Sequence, residues 1–244
     1  MAEFSSRHVT PGNRAELGRK LAGRSIRSVM RRGKYILMGL DQRGIEAGTL
    51  VVHLGMTGQL LLDPAPSDHQ YGVFHLDSGV LVYRDPRQFG SIAWHKDLNE
   101  ALAKLGPEPL SISADEFAAR LKKHKTRMKA LLLNQSFVAG IGNIYADEIL
   151  YSAKVHPLAI AARLSKTRVA LIHQAMREVL TLAIEHGGSS ISDYVDAQGE
   201  RGWFQTLHNA YGREGEPCVR CGGVIHKILV AQRGTHFCPQ CQKR

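Results

Sequence analysis

The chain has 244 residues, of which 43% are hydrophobic, and its formal net charge is +10. This length and apolar content allow a buried core. The sequence has no run of about 18 apolar residues, so no membrane span is predicted, and its first residues lack the apolar segment of a signal peptide. We therefore expect a cytoplasmic protein with no membrane partner, and the basic excess indicates a polyanionic partner such as nucleic acid.

Strand patterns fill the first part of the chain, from about residue 23 to residue 94. Apolar or alternating runs such as TLVVHLGMTGQLLL and VFHLDSGVLVYRD are broken by glycine, proline and aspartate, and Asp77-Ser78-Gly79 is typical of a turn. The pattern predicts an antiparallel β-sandwich or barrel over residues 1–106.

Helical patterns follow the segment LGPEPL. Ser113, three residues before Glu116, is typical of a capping box that opens a helix. Further helices are expected over about 126–134, from about Asn143, and over about 165–186, where two glycines stop the last one. We predict a helical domain over residues 107–205 and a separate small module over 206–244.

Basic side chains are concentrated in three regions, of which the tail from Tyr211 onward is the mildest, with six basic and two acidic side chains. Eight lie between Arg14 and Lys34 against one acid, and six lie between Arg120 and Lys129 with none. Solvated surfaces also carry such runs, so a plain polar face remains the alternative to a nucleic-acid contact.

A glycine-rich turn, AGIG, precedes the helix expected from Asn143. The free backbone N–H groups of that helix end, beside Lys125 and Lys129, could hold a phosphate. An ordinary packing joint between two helices is equally consistent with the pattern.

The last segment holds all the cysteines of the chain, in two C-x-x-C pairs with 16 residues between them: Cys218, Cys221, Cys238 and Cys241. In a reducing compartment this spacing predicts one structural Zn²⁺ held by four thiolates, whereas two local disulfides would require secretion. The metal would hold a small hairpin that has little core of its own, with Arg233 near its tip.

Several motifs together resemble the formamidopyrimidine-DNA glycosylase and endonuclease VIII family. HKTRMKALLLNQSFVAGIGNIYADEIL is similar to its helix-two-turns-helix signature, and RRGKYIL, HLGMTG, DPRQFG, GREGEPCVRCGG and AQRGTHFCPQC stand in family order. The similarity runs from about Leu21 to Lys243, and DPRQFG with the glycine-rich signature favours the formamidopyrimidine branch. It implies an α+β multidomain fold with a β-sandwich, a helix-two-turns-helix domain and a zinc-finger hairpin.

The resemblance also implies a function. A base-excision-repair DNA glycosylase with abasic-site lyase activity on oxidised purines, such as 8-oxoguanine and formamidopyrimidines, is expected. It would act as a monomer on damaged double-stranded DNA in a bacterial cytoplasm, associated with the nucleoid when bound.

Roles of single residues follow from the matching positions. Lys34 and Arg233 would assist strand cleavage. Met56, Arg87 and Phe89 would form a wedge that fills the gap left by an extruded base, although without the family Met56 and Phe89 would be assigned to the core. Backbone phosphates would be bound by His69, Arg87, Lys125, Lys129 and Asn143. The segment GGSSISDYVDAQGERGWF would form the loop over the damaged base.

The sequence departs from the family pattern at its beginning. Relatives act through an N-terminal proline, in a Pro-Glu-Leu-Pro-Glu opening, whose amine attacks the sugar C1′ and forms a Schiff base. This sequence begins MAEFSS, and Pro11 is internal. A start site assigned too late, a truncated form, and a non-catalytic damaged-DNA or abasic-site binding protein stay open as explanations, and we expect little base excision from the sequence as it stands. Gln88 also stands where relatives often carry a second arginine.

Overall fold

The computed structural model describes residues 1–191 and 194–244, without the side chain of residue 100. These residues form two compact units. The first comprises Met1–Ala103 with Ser189–Gly202, and the second comprises Lys104–Gly188 with Trp203–Arg244. Sheets dominate the first unit and helices the second, which confirms the expected α+β class.

Among the described residues, the first unit has eight strands: β1 (Ala2–Phe4), β2 (Ser25–Arg32), β3 (Tyr35–Gln42), β4 (Ile45–His53), β5 (Gln59–Leu62), β6 (Gln70–His75), β7 (Val80–Arg84) and β8 (Ser91–His95). They form two four-stranded sheets with the orders β1-β6-β7-β5 and β2-β3-β4-β8, and neighbouring strands are antiparallel. Buried side chains of both sheets, among them Leu50 and Ile92 from one and Phe74 and Tyr83 from the other, share one core. The unit is therefore a sandwich, as the alternating runs predicted.

The basic segment from Arg14 to Lys34 is divided between two elements. Helix α1 (Arg14–Leu21) begins after Asn13, whose side chain accepts a hydrogen bond from the backbone N–H of Glu16, and β2 follows. Sequence patterns did not predict α1 because Leu17 is its only buried residue. A second short helix, α2 (Leu98–Leu102), follows the last strand.

The second unit contains α3 (Ala114–Lys122), α4 (Met128–Leu133), α5 (Asn143–Ser152) and α6 (Lys166–Glu185), with 3-10 turns at Ala161–Arg163 and Phe204–Leu207. Ser113 caps α3 by accepting the N–H of Glu116, and Ser165 caps α6 in the same way, which confirms both predicted starts. Phe117, Leu132 and Ile149 belong to the helical core. None of the helices in the described part of the chain is long and apolar enough to cross a membrane.

A two-stranded hairpin ends the chain. Strands β9 (His226–Val230) and β10 (Arg233–Phe237) are joined by Ala231 and Gln232, whose φ angles of 49° and 59° lie in the left-handed region. Arg233 pairs with Val230 directly after this two-residue turn. Arg233 is exposed and lies at the hairpin tip, where the cysteine spacing predicted it.

Candidate functional site

Two neighbouring loops carry the predicted wedge residues. Residues 54–58 join β4 to β5, and residues 85–90 join β7 to β8, so each loop crosses from one sheet to the other. His53 pairs with Ser91, and Gln59 pairs with Arg84. The two loops therefore start and end beside each other at one end of the sandwich.

Met56, Arg87 and Phe89 project from these loops toward solvent. Met56 is 55% exposed and Phe89 is 57% exposed. The guanidinium carbon of Arg87 lies 4.8 Å from the centre of the Phe89 ring, in cation–π geometry. This exposure removes the alternative that Met56 and Phe89 belong to the core, and it is what insertion into a base stack requires.

Lys34 occupies the turn between β2 and β3 and is exposed. The next residue, Tyr35, pairs with His53, and the centres of their rings are 5.0 Å apart. Burial, and then the charge of Lys34, lower the pKa of His53. Lys34 and a neutral imidazole are therefore neighbours, and His53 directly precedes the loop that carries Met56.

Sequence reasoning did not single out His53, although it is the first residue of HLGMTG. Its Nδ1 accepts a hydrogen bond from the N–H of Gly55 at 3.2 Å, so Nε2 carries the proton of the neutral ring. The position of His53 next to Lys34 depends on strand pairing, which the motif alone does not reveal.

His69 is exposed just before β6 and is oriented by two polar side chains. Its Nδ1 lies 3.2 Å from the hydroxyl of Tyr71, which accepts a hydrogen bond from Nε2 of Gln88 at 3.2 Å. Gln88 in turn accepts the hydroxyl proton of Ser6. The Tyr71 hydroxyl therefore joins the ring of His69 to the side chain of Gln88, and these contacts hold the ring in place. Gln88, the departure from the family pattern, thus supports His69.

Lys129 is placed differently from its predicted role in phosphate binding. Its side chain is fully buried, and Nζ lies 2.5 Å from Oδ1 of Asp147 and 2.8 Å from the carbonyl oxygen of Asn143. Burial lowers the pKa of Lys129, and the carboxylate of Asp147 opposes that shift. An ammonium group held in this way does not face a phosphate, so we correct Lys129 to a residue that positions α5. Lys125, four residues earlier, is exposed.

Helix α5 is tied to the hairpin by its first turn and a half. The side chain of Asn143 donates to the carbonyl oxygen of Gly234 at 3.0 Å, and Oδ1 of Asn143 has no hydrogen-bond partner among the described residues. Asp147 accepts the backbone N–H of His236 at 3.0 Å. Helix α5 therefore holds β10, the strand that begins with Arg233, at the alternate residues Gly234 and His236.

Glu148, the next residue of α5, organises the approach to the hairpin. Its carboxylate, almost fully buried, accepts the backbone N–H groups of three consecutive residues, Asn209, Ala210 and Tyr211. Sequence reasoning missed both Asp147 and Glu148. Two adjacent acids inside the largely apolar segment NIYADEIL could have indicated these contacts. A carboxylate in a buried segment needs a cation or hydrogen-bond donors, so each acid predicts such a partner.

The cysteines converge as their spacing predicted. One Sγ atom from each of Cys218, Cys221, Cys238 and Cys241 lies within 4.8 Å of the other three. A tetrahedral zinc with Zn–S bonds of about 2.3 Å separates its sulfurs by about 3.8 Å. The sulfurs of Cys218 and Cys241 are 3.9 Å apart, and those of Cys221 and Cys238 are 3.5 Å apart, so the donor set fits a structural zinc ion.

The segment GGSSISDYVDAQGERGWF, predicted to cover the damaged base, lies partly outside the described residues, which omit 192 and 193. In the first unit, Ser190 donates its hydroxyl proton to the carbonyl oxygen of Tyr194 and accepts the N–H of Gly202. Leu62 on β5 donates its N–H to the carbonyl oxygen of Ala197 at 3.0 Å.

Three domain families match the chain. Residues 2–92 match the formamidopyrimidine-DNA glycosylase N-terminal domain, residues 105–195 match the formamidopyrimidine-DNA glycosylase H2TH domain, and residues 215–244 match a zinc finger found in FPG and IleRS. Together these matches cover most of the chain.

Whole-chain comparisons with individual proteins lead to the same family. A formamidopyrimidine-DNA glycosylase of Solibacter usitatus is 48% identical over 100% of this chain and 91% of its own length, and one of Neisseria meningitidis is 41% identical over 93% and 86%. Lactococcus lactis Fpg in complex with abasic-site DNA superposes with a TM-score of 0.90 at 36% identity, covering 100% of this chain and 91% of that one. The MutM (FPG) protein of Thermus thermophilus gives 0.88 at 41% identity over 99% and 90%. The chain belongs to the formamidopyrimidine-DNA glycosylase family of base-excision-repair enzymes.

Proposed function

We propose that this protein removes oxidised purines, such as 8-oxoguanine and formamidopyrimidines, from DNA and then cleaves the abasic site by lyase chemistry. The observation that carries the proposal is the exposed group of Met56, Arg87 and Phe89 on two adjoining loops. A base must leave the stack before chemistry on its sugar, and an apolar pair with a guanidinium can take its place. Family membership supports the same reaction.

The proposed partner is damaged double-stranded DNA, bound by a monomer. His69, Arg87, Lys125 and Asn143 would contact backbone phosphates, and the net charge of +10 favours this contact. Lys129 would act from inside, by holding the first turn of α5. The protein would work in a bacterial cytoplasm, on nucleoid DNA. The proposed domain division is 1–106, 107–205 and 206–244, with Ser189–Gly202 of the second segment packed in the first compact unit.

Lys34 and Arg233 have the proposed roles in strand cleavage. Lyase chemistry passes through a Schiff base between an amine and the sugar C1′, after which phosphate groups leave by elimination. Each departing phosphate carries negative charge, so a nearby ammonium or guanidinium group stabilises its loss. Arg233 is suited to this role because it is exposed on a strand that α5 holds in place. Lys34 is suited to it because it is exposed and its neighbour His53 is neutral, so the imidazole adds no second positive charge beside that of Lys34.

A trapping experiment tests the function. The protein is incubated with a duplex that contains one abasic site, borohydride is added, and the attachment point of any covalent product is located by mass spectrometry. We expect a covalent product, together with tighter binding to the abasic duplex than to the intact one. Tight binding without trapping or cleavage would make the chain a damaged-DNA binding protein, and equal affinity for both duplexes would contradict both functions.

A pair of variants connects this result to the wedge. Replacing Met56 and Phe89 together by alanine should abolish the preference for the abasic duplex. Val29→Ala is the matched control, because Val29 is an exposed apolar residue of β2, 65% exposed, outside the two loops. Loss of preference in the control as well would show that general surface hydrophobicity is responsible.

A further inference from the structure

A buried carboxylate at the start of the second wedge loop, residues 85–90, contacts the first loop, residues 54–58. Asp85 is fully buried. One of its oxygens accepts the hydroxyl proton of Thr57 at 2.5 Å, and the other accepts the N–H of Gly90 at 2.8 Å and lies 3.3 Å from the hydroxyl of Tyr83. The phosphate contacts and the cleavage chemistry do not use this group.

The partners of Asp85 are the direct neighbours of the wedge residues. Thr57 follows Met56, and Gly90 follows Phe89. The Thr57 oxygen also accepts the backbone N–H of Arg87 at 3.3 Å. The Thr57 hydroxyl therefore joins the first loop to Asp85 and Arg87 of the second, and the Asp85 carboxylate joins the two ends of the second loop.

Glycines occupy the contact between the two loops, where an added Cβ would collide with the facing atoms. Gly55 has a φ of +63°, and a Cβ there would lie 2.6 Å from the backbone nitrogen of Gly90. A Cβ on Gly90 would lie 1.8 Å from the hydroxyl of Tyr83. The loops thus touch backbone to backbone, and side chains are excluded where Asp85 and Tyr83 reach them.

We propose that Thr57 and Asp85 are positioning residues that make the two loops one rigid unit, so that Met56 enters the stack together with Arg87 and Phe89. Neither residue touches DNA in this proposal. Exposed side chains on two separate loops would otherwise have to be ordered independently when they insert, and that ordering opposes insertion. The inference rests on the proposed function, because it assigns a role within base extrusion.

The test measures insertion directly, without requiring cleavage. A duplex carries a tetrahydrofuran abasic analogue opposite 2-aminopurine, whose fluorescence changes when the wedge contacts the orphaned base, and the change is followed after rapid mixing. Thr57→Val keeps the shape of the side chain and removes the hydroxyl, whereas Thr57→Ser restores the hydroxyl. Thr10→Val is the matched control, since Thr10 is a buried threonine of the same unit whose hydroxyl has no hydrogen-bond partner among the described residues.

Thr57→Val should slow the fluorescence change by about tenfold, the effect of losing a buried hydrogen bond to a charged group. Affinity for an intact duplex, which depends on phosphate contacts, should stay within about twofold of the wild type. Thr57→Ser and Thr10→Val should both behave like the wild type. Circular dichroism and a urea midpoint establish that each variant is folded, and Asp85→Asn carries the test if Thr57→Val is not.

Several results would overturn the inference. Insertion by Thr57→Val at the wild-type rate would show that the hydroxyl does not couple the loops. An equal loss of affinity for the intact duplex would show a purely structural role. These failures leave the wild-type signal in place, whereas a wild-type protein that gives no fluorescence change would refute the wedge and the proposed function with it.

Discussion

Asp147 on α5 accepts the backbone N–H of His236 on β10 at 3.0 Å, and both residues are buried. The same carboxylate binds the ammonium group of Lys129. Because β10 begins with Arg233, the helix that follows the glycine-rich turn also sets the position of the hairpin tip. The zinc ion shapes the hairpin, and Asp147 fixes it to the helical core.

Removing the charge of Asp147 should be costly. Asp147→Asn leaves the buried ammonium of Lys129 without its counter-ion, and breaking a buried pair in this way costs about 3–5 kcal/mol. Adding Lys129→Met removes the unpaired charge while the asparagine still accepts the N–H of His236, so the double variant should regain at least half of the loss. Urea unfolding of zinc-loaded protein measures both, and a double variant no more stable than the single one would contradict the ion-pair explanation.

The two lysines before the glycine-rich turn should differ in their effect on salt dependence. Lys125→Ala should reduce the slope of log affinity against log salt by about 1, because one phosphate contact is lost. Lys129→Met should weaken DNA binding without changing that slope, because its charge is buried against Asp147. Fluorescence anisotropy at several salt concentrations separates the two, and an equal slope change in both variants would return Lys129 to the phosphate contacts.

Loss of the zinc ion and loss of Arg233 at the hairpin tip should have different effects on the protein. Cys238→Ser should lose zinc and DNA affinity together, because four ligands are needed to close the site. Arg233→Ala should keep one zinc per chain and weaken only binding or cleavage at the lesion. Elemental analysis alongside binding measures this, and wild-type behaviour of Arg233→Ala would show that the tip does not touch DNA.

The histidine beside Lys34 should report the charge of that lysine. Burial is the larger cause of the lowered pKa of His53, and Lys34 is the second. Lys34→Met should therefore raise this pKa while leaving it below the ordinary value of about 6.5. Imidazole resonances followed by NMR across pH 4–8 measure the change, and an unchanged His53 titration would show that the two groups do not interact.

In the wild type, the unfolded chain binds a proton at His53 more readily than the folded chain does. The contribution of His53 to the free energy of unfolding should accordingly fall as pH drops from about 6.5 through the lower pKa of the folded protein. Lys34→Met should make this loss smaller, because the pKa of the folded state lies closer to that of the unfolded state. Urea unfolding at a series of pH values measures the difference.

The orientation of His69 should depend on Tyr71. Tyr71→Phe removes the hydroxyl that holds Nδ1 of His69, and we expect a drop of about threefold to tenfold in affinity for duplex DNA, the effect of one hydrogen bond. In a His69→Ala background the same substitution should have little further effect. Additive losses in this double-mutant cycle would show that Tyr71 acts independently of His69.

Short-range sequence patterns predicted much of the fold. The cap at Ser113, the start of α6 near Ser165, the turn at Asp77–Gly79 and the cysteine spacing each involve residues close in sequence, and backbone geometry determines such contacts directly. Helix α1 was not predicted because a helix with a single buried residue carries almost no apolar periodicity.

The sequence by itself determined the family, the α+β class, the zinc ligands and the list of candidate residues. The tertiary structure alone decided which of these residues are available to a ligand. Met56 and Phe89 are exposed and Lys129 is buried, although residue type suggests the reverse for each. The contacts responsible join Thr57 to Asp85 and Asp147 to His236, residues 28 and 89 positions apart in the chain. Sequence patterns of period 2 or 3.6 report only the face of one element, whereas burial depends on which distant element covers that face.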